Sequence, residues 1–587
     1  MALALQVYRN LLATYLQPQR KQVVWLAVML FSSVGLQILN PQLLGFFIDT
    51  VTTSGNIQKL FLATFLFSGI AILVQILTVV TSYLGETVAW IATNALRLDL
   101  VQHCLCLDLS FHQFHPPGEL LERVDGDVTI LARFFSQLVI HVLGNALLLI
   151  GILFVLFLED WRAGLSLSLF SLIAVSILLN LRSFAVLPWT HYRQMAAEFF
   201  GFLTEYLGGR EDIRANGAIS YVMHQFHQML QRWLPIYQQA RFASTVLWAI
   251  SVGLFTFGNV IALAIAAYLW QQNAITIGTA YLIFHYTNLL QQPIERIREE
   301  LEELQQVAAS IQRIQELLAT PAYTTATGQR IVPDGAISVR FDRVRFSYPT
   351  HEHPQTENPL PILQDLTFHL PAGQILGLLG HTGSGKSTIA RLLLQFYDCQ
   401  SGEIQVGDIS IAQADRQQLR QRIGFVTQNI QLFQASVRDN LTFFNSSIQD
   451  SQILVILEEM GLQDWLRSLP HGLDTQLGAD SSGLSAGQAQ LLAFARVFLE
   501  NPGLVILDEA SSRLDPTTET QIERATERLL SGRTGIIIAH RIKTVQRADQ
   551  ILILEQGKVL EYGDRLALLR NPQSHFTRLS QFNTAIE

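Results

Sequence analysis

The nine residues GHTGSGKST, 380–388, fit the spacing G-x-x-x-x-G-K-[ST], between an apolar run, QILGLL, and a helix-forming one, IARLLLQF. A phosphate loop needs that strand–loop–helix context. Its glycines let main-chain N–H groups approach phosphate oxygens, and the following helix adds the positive end of its dipole. In this reading Gly380, His381, Thr382, Gly383, Ser384 and Gly385 form the cradle and Thr388 closes the motif. Lys386 neutralises β- and γ-phosphate charge, and Ser387 ligates Mg²⁺. Lys386 is one of only five lysines in the chain, and a compact ammonium suits a phosphate nest better than a planar guanidinium. Further along, LVILDEASS (504–512) reads as a buried strand ending in two acids. Asp508 is placed to hold Mg²⁺, directly or through water, and Glu509 to polarise an attacking water. Together the two segments imply ATP hydrolysis.

This chemistry occupies one half of the chain only. Of 587 residues, 15% are charged, against roughly 25% in ordinary soluble proteins, and the apolar residues concentrate in the first half. A bilayer crossing takes ~20 apolar residues. Uncharged runs cover Val23–Ile48, Leu60–Gly85, Phe134–Leu158 and Ala163–Leu181, and no formal charge occurs between Arg241 and Glu295. That last stretch has room for two spans, about 244–270 and 275–292, joined by Gln271–Ala274. Six spans are expected.

Arginine placement orients them. Arg9, Arg20 and Lys21 precede span one; Arg97, Arg123 and Arg133 lie between spans two and three; six arginines from Arg182 to Arg241 lie between spans four and five. The opposite loops carry Lys59, Arg162 and no basic residue. Both termini are therefore expected in the cytoplasm, with targeting through the first span because no secretory signal is evident at the N-terminus. The inner connections are long and helical in pattern, so the membrane helices should continue into the cytoplasm. Gln75, His141, Asn180, Asn259, His285 and Tyr286 fall within the spans. Such groups either line a substrate path or bond between helices. A net charge of −8 offers nothing for nucleic acid, and three cysteines, Cys104, Cys106 and Cys399, read as free thiols.

Residues 319–336, rich in small and polar types, read as a linker between a membrane domain (1–318) and a mixed α/β domain (337–587), with strand-like runs at Ile337–Phe341 and Val344–Tyr348. With these parts in order, the chain resembles the ATP-binding cassette family, as an exporter-type half-transporter. The resemblance implies a multidomain membrane protein: an all-α six-helix membrane domain with long cytoplasmic extensions, then a P-loop NTPase domain with a helical subdomain. Tyr348 in RFSYP is similar to the family's adenine-stacking aromatic. Gln428 in FVTQNIQLF is similar to the glutamine that senses Mg²⁺ and water, and His540 in IIIAHR to the γ-phosphate histidine. LSAGQ, 484–488, resembles the family signature, so Ser485, Gly487 and Gln488 are expected to meet a nucleotide held by a partner chain, as is Asp515 in SRLD. FHQFHPPGELLERVDGD (111–127) and EYLGGREDIRANG (205–217) resemble the loops that dock on nucleotide domains.

The departures are local. Ala486 stands where the signature usually has glycine, Ala489 where arginine often follows, and GADSSG replaces the acidic–arginine pair upstream. Alanine at 486 is tolerable if its backbone is helical. The implied activity is ATP-driven export of a hydrophobic, amphipathic or peptide substrate across a plasma membrane, bacterial by its arginine bias and short loops, by a homodimer or heterodimer. An importer built on the same fold is the alternative. A non-transporting ATPase and an ATP-gated channel are further ones.

Overall fold

The computed structural model describes residues 14–53, 55–321, 330–349, 361–478, 484–508, 516–539 and 542–584. The chain divides into two compact units, one of residues 1–105 and 118–320, the other of 106–117 and 321–587.

The first unit is built from six long helices: α1 (Arg20–Thr53), α2 (Ile57–Leu105), α3 (Pro117–Glu159), α4 (Trp161–Gly208), α5 (Ile219–Gln271) and α6 (Ile277–Ala319). The first five are long and apolar enough to cross a membrane. α6 is one unbroken helix, but its first half carries His285, Asn288, Gln291 and Gln292 and falls short of the other five in apolarity. The expected sixth span therefore rests on helix continuity rather than on hydropathy.

α2 and α5 run for 49 and 53 residues, about 75 Å each at 1.5 Å per residue, far beyond a bilayer core of ~30 Å. Their starts are set by ordinary caps. Asp160 accepts from Arg162 N (2.7 Å) ahead of α4, and Thr276 accepts from Thr279 N (3.1 Å) ahead of α6. At that same turn Asp49 of α1 accepts from Thr276 Oγ1 and Gly278 N, both at 2.7 Å. Gly278 has no room for a side chain, since a Cβ would lie 2.4 Å from Gly45 O.

The extensions are braced differently. Asp127 of α3 is fully buried and takes two hydrogen bonds from the Arg313 guanidinium of α6, one from Nε at 2.9 Å. Between α4 and α5 an aromatic seam includes Phe199 against Trp233 (4.7 Å) and Tyr192 against Tyr237 (5.8 Å). Of the intramembrane polar residues, Tyr286 donates to Ile38 O (2.7 Å) beside Pro41, and Asn259 donates to Asn288 Oδ1 (2.8 Å). Both are interhelical bonds. The cysteines are free thiols.

The second unit holds two sheets. β1 (Val339–Phe346) and β2 (Leu363–Leu370) join β4 (Ser401–Val406) and β5 (Ile409–Ser410) in an antiparallel sheet of order β2-β1-β4-β5. The two expected strands at 337–348 are one strand, bulged between Phe341 and Val344, where Arg343 adopts φ 48°. The larger sheet runs β10-β9-β3-β8-β7-β6, where β3 is Ile375–Gly380, β6 Ile423–Val426, β7 Leu504–Asp508, β8 Thr534–Ile538, β9 Gln550–Glu555 and β10 Lys558–Asp564. All its pairings are parallel except β9–β10. The central strands are apolar on both faces, with β8 buried throughout, as a parallel sheet covered on two sides requires.

Candidate active site

In a parallel sheet, ligands collect beyond the carboxyl ends of the strands. Four neighbouring strands deliver the expected residues to that edge. β3 ends at Gly380 and opens the phosphate loop. β8 ends two residues before His540, β7 ends at Asp508, and β6 ends two residues before Gln428. Asp508 pairs in register with Ile538. Glu509, Asp515 and His540 themselves lie outside the described residues, so only the strands that carry them are located.

The loop from Gly380 to α7 (Lys386–Leu393) is shaped by main chain. Gly380 (φ 151°) sits where a Cβ would come within 2.4 Å of Leu554 O, and Gly385 (φ 104°) where one would strike Leu363 Cδ2 at 2.7 Å. Only glycine fits either position. Lys386 opens α7, is 5% exposed, and its Nζ donates to Gly380 O (2.7 Å) and His381 O (3.0 Å). Ser384 is buried, and its hydroxyl has no hydrogen-bond partner among the described residues. A buried ammonium that donates to two loop carbonyls, beside that hydroxyl and the start of a helix, fits a polyphosphate. His381, Thr382 and Gly383 are exposed at the loop tip, and Ser387 is half-buried.

Tyr348 is fixed from α7. Its hydroxyl lies 3.1 Å from Thr388 Oγ1 and accepts from Arg391 Nη1 at 3.0 Å, while Tyr397 meets its ring edge-on at 5.1 Å. The candidate base-stacking ring is thus tied to the helix that carries the phosphate loop. Gln428 is exposed in the turn after β6.

The signature residues form a separate piece of structure. Ser485 caps α9 (Ala486–Glu500, preceded by α8, Val437–Thr442), accepting from Gln488 N at 3.2 Å. Gln488 Oε1 in turn accepts from Ser485 N at 3.0 Å. This reciprocal capping box leaves the helix N-terminus ordered and ready to receive an anion. Ala486 is the first helical residue, so the missing glycine costs nothing at that position, and Ala489 is buried. Neither Ser485 nor Gln488 bonds to the phosphate loop; each bonds to the other.

One contributor had no motif to announce it. Arg496 on α9 is 8% exposed and donates to Asn440 O (2.7 Å), Gln431 O (2.9 Å) and Asn440 Oδ1 (3.2 Å). Its guanidinium lies 4.9 Å from the Phe443 ring centre. Burial without a carboxylate partner pushes its pKa down to about 10, so it remains a cation at neutral pH. It fastens the signature helix to the segment that follows Gln428, at the wall of a cavity of about 340 Å³ that Phe433, Phe443 and Glu500 also line. The available signal was a single arginine inside the apolar run LLAFARVFL. Arg496→Met should lower stability by about 2–4 kcal/mol, because Asn440 O and Gln431 O lose a charged donor inside the protein. Calorimetry of the reconstituted chain checks this, and an unchanged unfolding temperature would dismiss the role.

Comparison with known proteins follows the same division. Residues 23–294 match the ABC transporter transmembrane region and residues 363–512 the ABC transporter family. An ATP-dependent lipid A-core flippase of Alkalilimnicola ehrlichii is 30% identical over 526 residues, covering 86% of this chain and 85% of that protein. The uncharacterized ABC transporter ATP-binding protein YknV of Bacillus subtilis is 29% identical over 588 residues, covering 98% of this chain and 95% of its own. The structure of a bacterial Atm1-family ABC exporter with ATP bound superposes with a TM-score of 0.76 at 23% identity, covering 96% of this chain and 98% of that one. By motif order, fold and full-length similarity, the chain belongs to the ATP-binding cassette transporter family, as an exporter-type half-transporter whose soluble domain is the transport ATPase.

Proposed function

We propose that the chain exports a hydrophobic or amphipathic substrate as one half of a dimer, powered by ATP. The observation that carries this reading is the continuity of the helices. α2 runs for 49 residues to Leu105, and the segment that follows it, 106–117 with the short helix Leu109–Phe114, is grouped with the nucleotide-binding unit before the chain returns to the membrane one. A long membrane helix is thus joined through the main chain to a piece of the ATPase unit. Arg210–Ala215, between α4 and α5, stays in the membrane unit and on the family resemblance would meet a nucleotide domain, the partner's.

In this mechanism Lys386 and the loop 380–388 hold the triphosphate, and Tyr348 stacks on the base. Ser485, Gly487, Gln488 and Asp515 of one chain cover the nucleotide of the other. Ser387, Asp508 and Gln428 would hold Mg²⁺, which supplies charge neutralisation on the phosphates. Glu509 takes the proton from the attacking water, with His540 and Gln428 at the γ-phosphate. Closure over ATP turns the cavity from cytoplasm to exterior, because ATP binds the closed pair better than the open one. The excess of arginine in the inner connections supports an orientation with both termini and the ATPase on the cytoplasmic side, in our reading of a bacterial plasma membrane.

The test is direction. In inside-out vesicles, ATP should drive a fluorescent amphiphile into the lumen, and Lys386→Met should abolish the uptake. ATP-driven movement out of such vesicles would make the chain an importer.

A further inference from the structure

The seam between α5 and α6 carries polar groups that ordinary helix packing leaves incompletely satisfied. Near its inner end the buried Ser251 donates to Glu295 Oε1 at 2.6 Å, and Gln291 donates to the same oxygen at 3.1 Å. Both partners are neutral. Two turns along, Asn259 Nδ2 donates to Asn288 Oδ1 (2.8 Å) and Asn288 Nδ2 donates to Phe284 O (3.2 Å), while Asn259 Oδ1 is buried with no partner among the described residues. Tyr281, His285, Asn288, Gln292 and Glu295 recur at intervals of four and three, which puts them on one face of α6. Asn288 and Gln292 on that face are exposed. The Tyr281 and His285 rings stack at 5.6 Å.

Such a face cannot lie against hydrocarbon, where each unsatisfied polar group costs several kcal/mol. It must meet either the other half of the transporter or the transported molecule. The unfilled capacity is specific in kind. An ionised carboxylate only accepts hydrogen bonds, and Oε2 of Glu295 has no bond among the described residues. Stacked aromatic rings on the same face favour cations. From Arg241 to Glu295 no other formal charge occurs in the sequence. Acceptors, a negative charge and aromatic faces beside apolar helices complement one class of molecule.

We infer that this face of α6, with Glu295 as its charged anchor, selects substrates bearing a cationic amine or guanidinium head on an apolar tail. The inference rests on the transport reading above and narrows it. Glu295 Oε2 accepts from the head group, and the tail follows the apolar flanks of α5 and α6. An anionic head of equal size meets a like charge there and is disfavoured.

The experiment uses the full chain in nanodiscs with three probes of one tail length: dodecylguanidine, dodecanol and dodecyl phosphate. Binding is followed by intrinsic tryptophan fluorescence, and ATP hydrolysis in parallel. The guanidine should act at concentrations about tenfold or more below the other two. Glu295→Gln should raise its half-maximal concentration about tenfold to a hundredfold, since a charge-assisted bond is lost, without moving that of dodecanol. Asn259→Leu, two turns away, should leave the guanidine's half-maximal concentration unchanged. The unchanged dodecanol response shows that the variants are folded. Equal potency of the three probes, or a Glu295→Gln variant that binds the guanidine as wild type does, overturns the assignment. ATP hydrolysis with no response to any probe rejects the amine class and leaves the transport ATPase standing, whereas absence of hydrolysis removes the parent reading as well.

Discussion

Lys386→Ala is expected to lower ATP hydrolysis roughly 10²–10³-fold, the range seen when one donor to a developing oxyanion is removed. The structure adds a second effect. Nζ of Lys386 holds the carbonyls of Gly380 and His381 from within the loop, so its removal frees two acceptors where phosphate oxygens have to enter. Nucleotide affinity should therefore fall together with turnover, by about tenfold or more for a lost charged contact. Glu509→Gln should separate the two. In the proposed mechanism its role is confined to the proton of the attacking water, so hydrolysis should fall by a similar factor while nucleotide binding is kept and the ATP-bound closed state accumulates. Equilibrium binding of labelled ATP beside steady-state phosphate release distinguishes these patterns. If the Gln variant hydrolyses ATP at the wild-type rate, Glu509 is not the base.

The difference between these two residues reflects what sequence can show. A phosphate loop is contiguous because its chemistry is done by consecutive N–H groups, and Gly380, Gly385 and Lys386 are legible from spacing alone. Residues at strand ends are nearly as legible, since the strand LVILD announces its own end at Asp508. What joins those ends is not local. β3 lies between β8 and β9, each more than 150 residues further along the chain, and no short pattern encodes that neighbourhood. Arg496 is the clearest omission: its acceptors Asn440 and Gln431 lie 56 and 65 residues away, so only the fold reveals why an arginine is tolerated in an apolar helix. The substitution at Ala486 is the opposite case. Sequence posed it as a doubt about the signature, and its place at the start of α9 answers it, because alanine is the better helix former than glycine by about 1 kcal/mol. The polar face of α6 lowered the apolarity of the sixth expected span, and the same residues then mark where a substrate would be recognised.

A chain carrying Lys386→Ala, paired with one carrying Gly487→Asp, should regain ATP-dependent trapping of nucleotide that neither variant shows as a homodimer. The argument begins from the capping box. Ser485 and Gln488 bond to each other and not to the phosphate loop of their own chain, and the N-terminus of α9 carries the positive dipole end that suits an anion brought by another chain. If the signature serves a partner, two composite sites exist. In the mixed pair both lesions fall on one of them and the other is intact; in either homodimer both sites are damaged. Gly487 is buried in the first turn of α9, so an aspartate there sets a carboxylate where the γ-phosphate should approach and repels it. If each site acts independently, trapping in the mixed pair should reach about half the wild-type level, by simple additivity of separate sites. Were the signature to serve its own chain, each half of the mixed pair would carry one lesion in its only site and nothing would be recovered. Vanadate trapping of a photoreactive ATP analogue in tandem-linked chains measures this directly, because it counts closed sites one by one and does not require the two to fire in turn. Recovery assigns the opposite half of the site to a second copy of this chain. No recovery, with both single variants correctly folded, would return LSAGQ to its own chain and remove the reason for the pair to close over ATP.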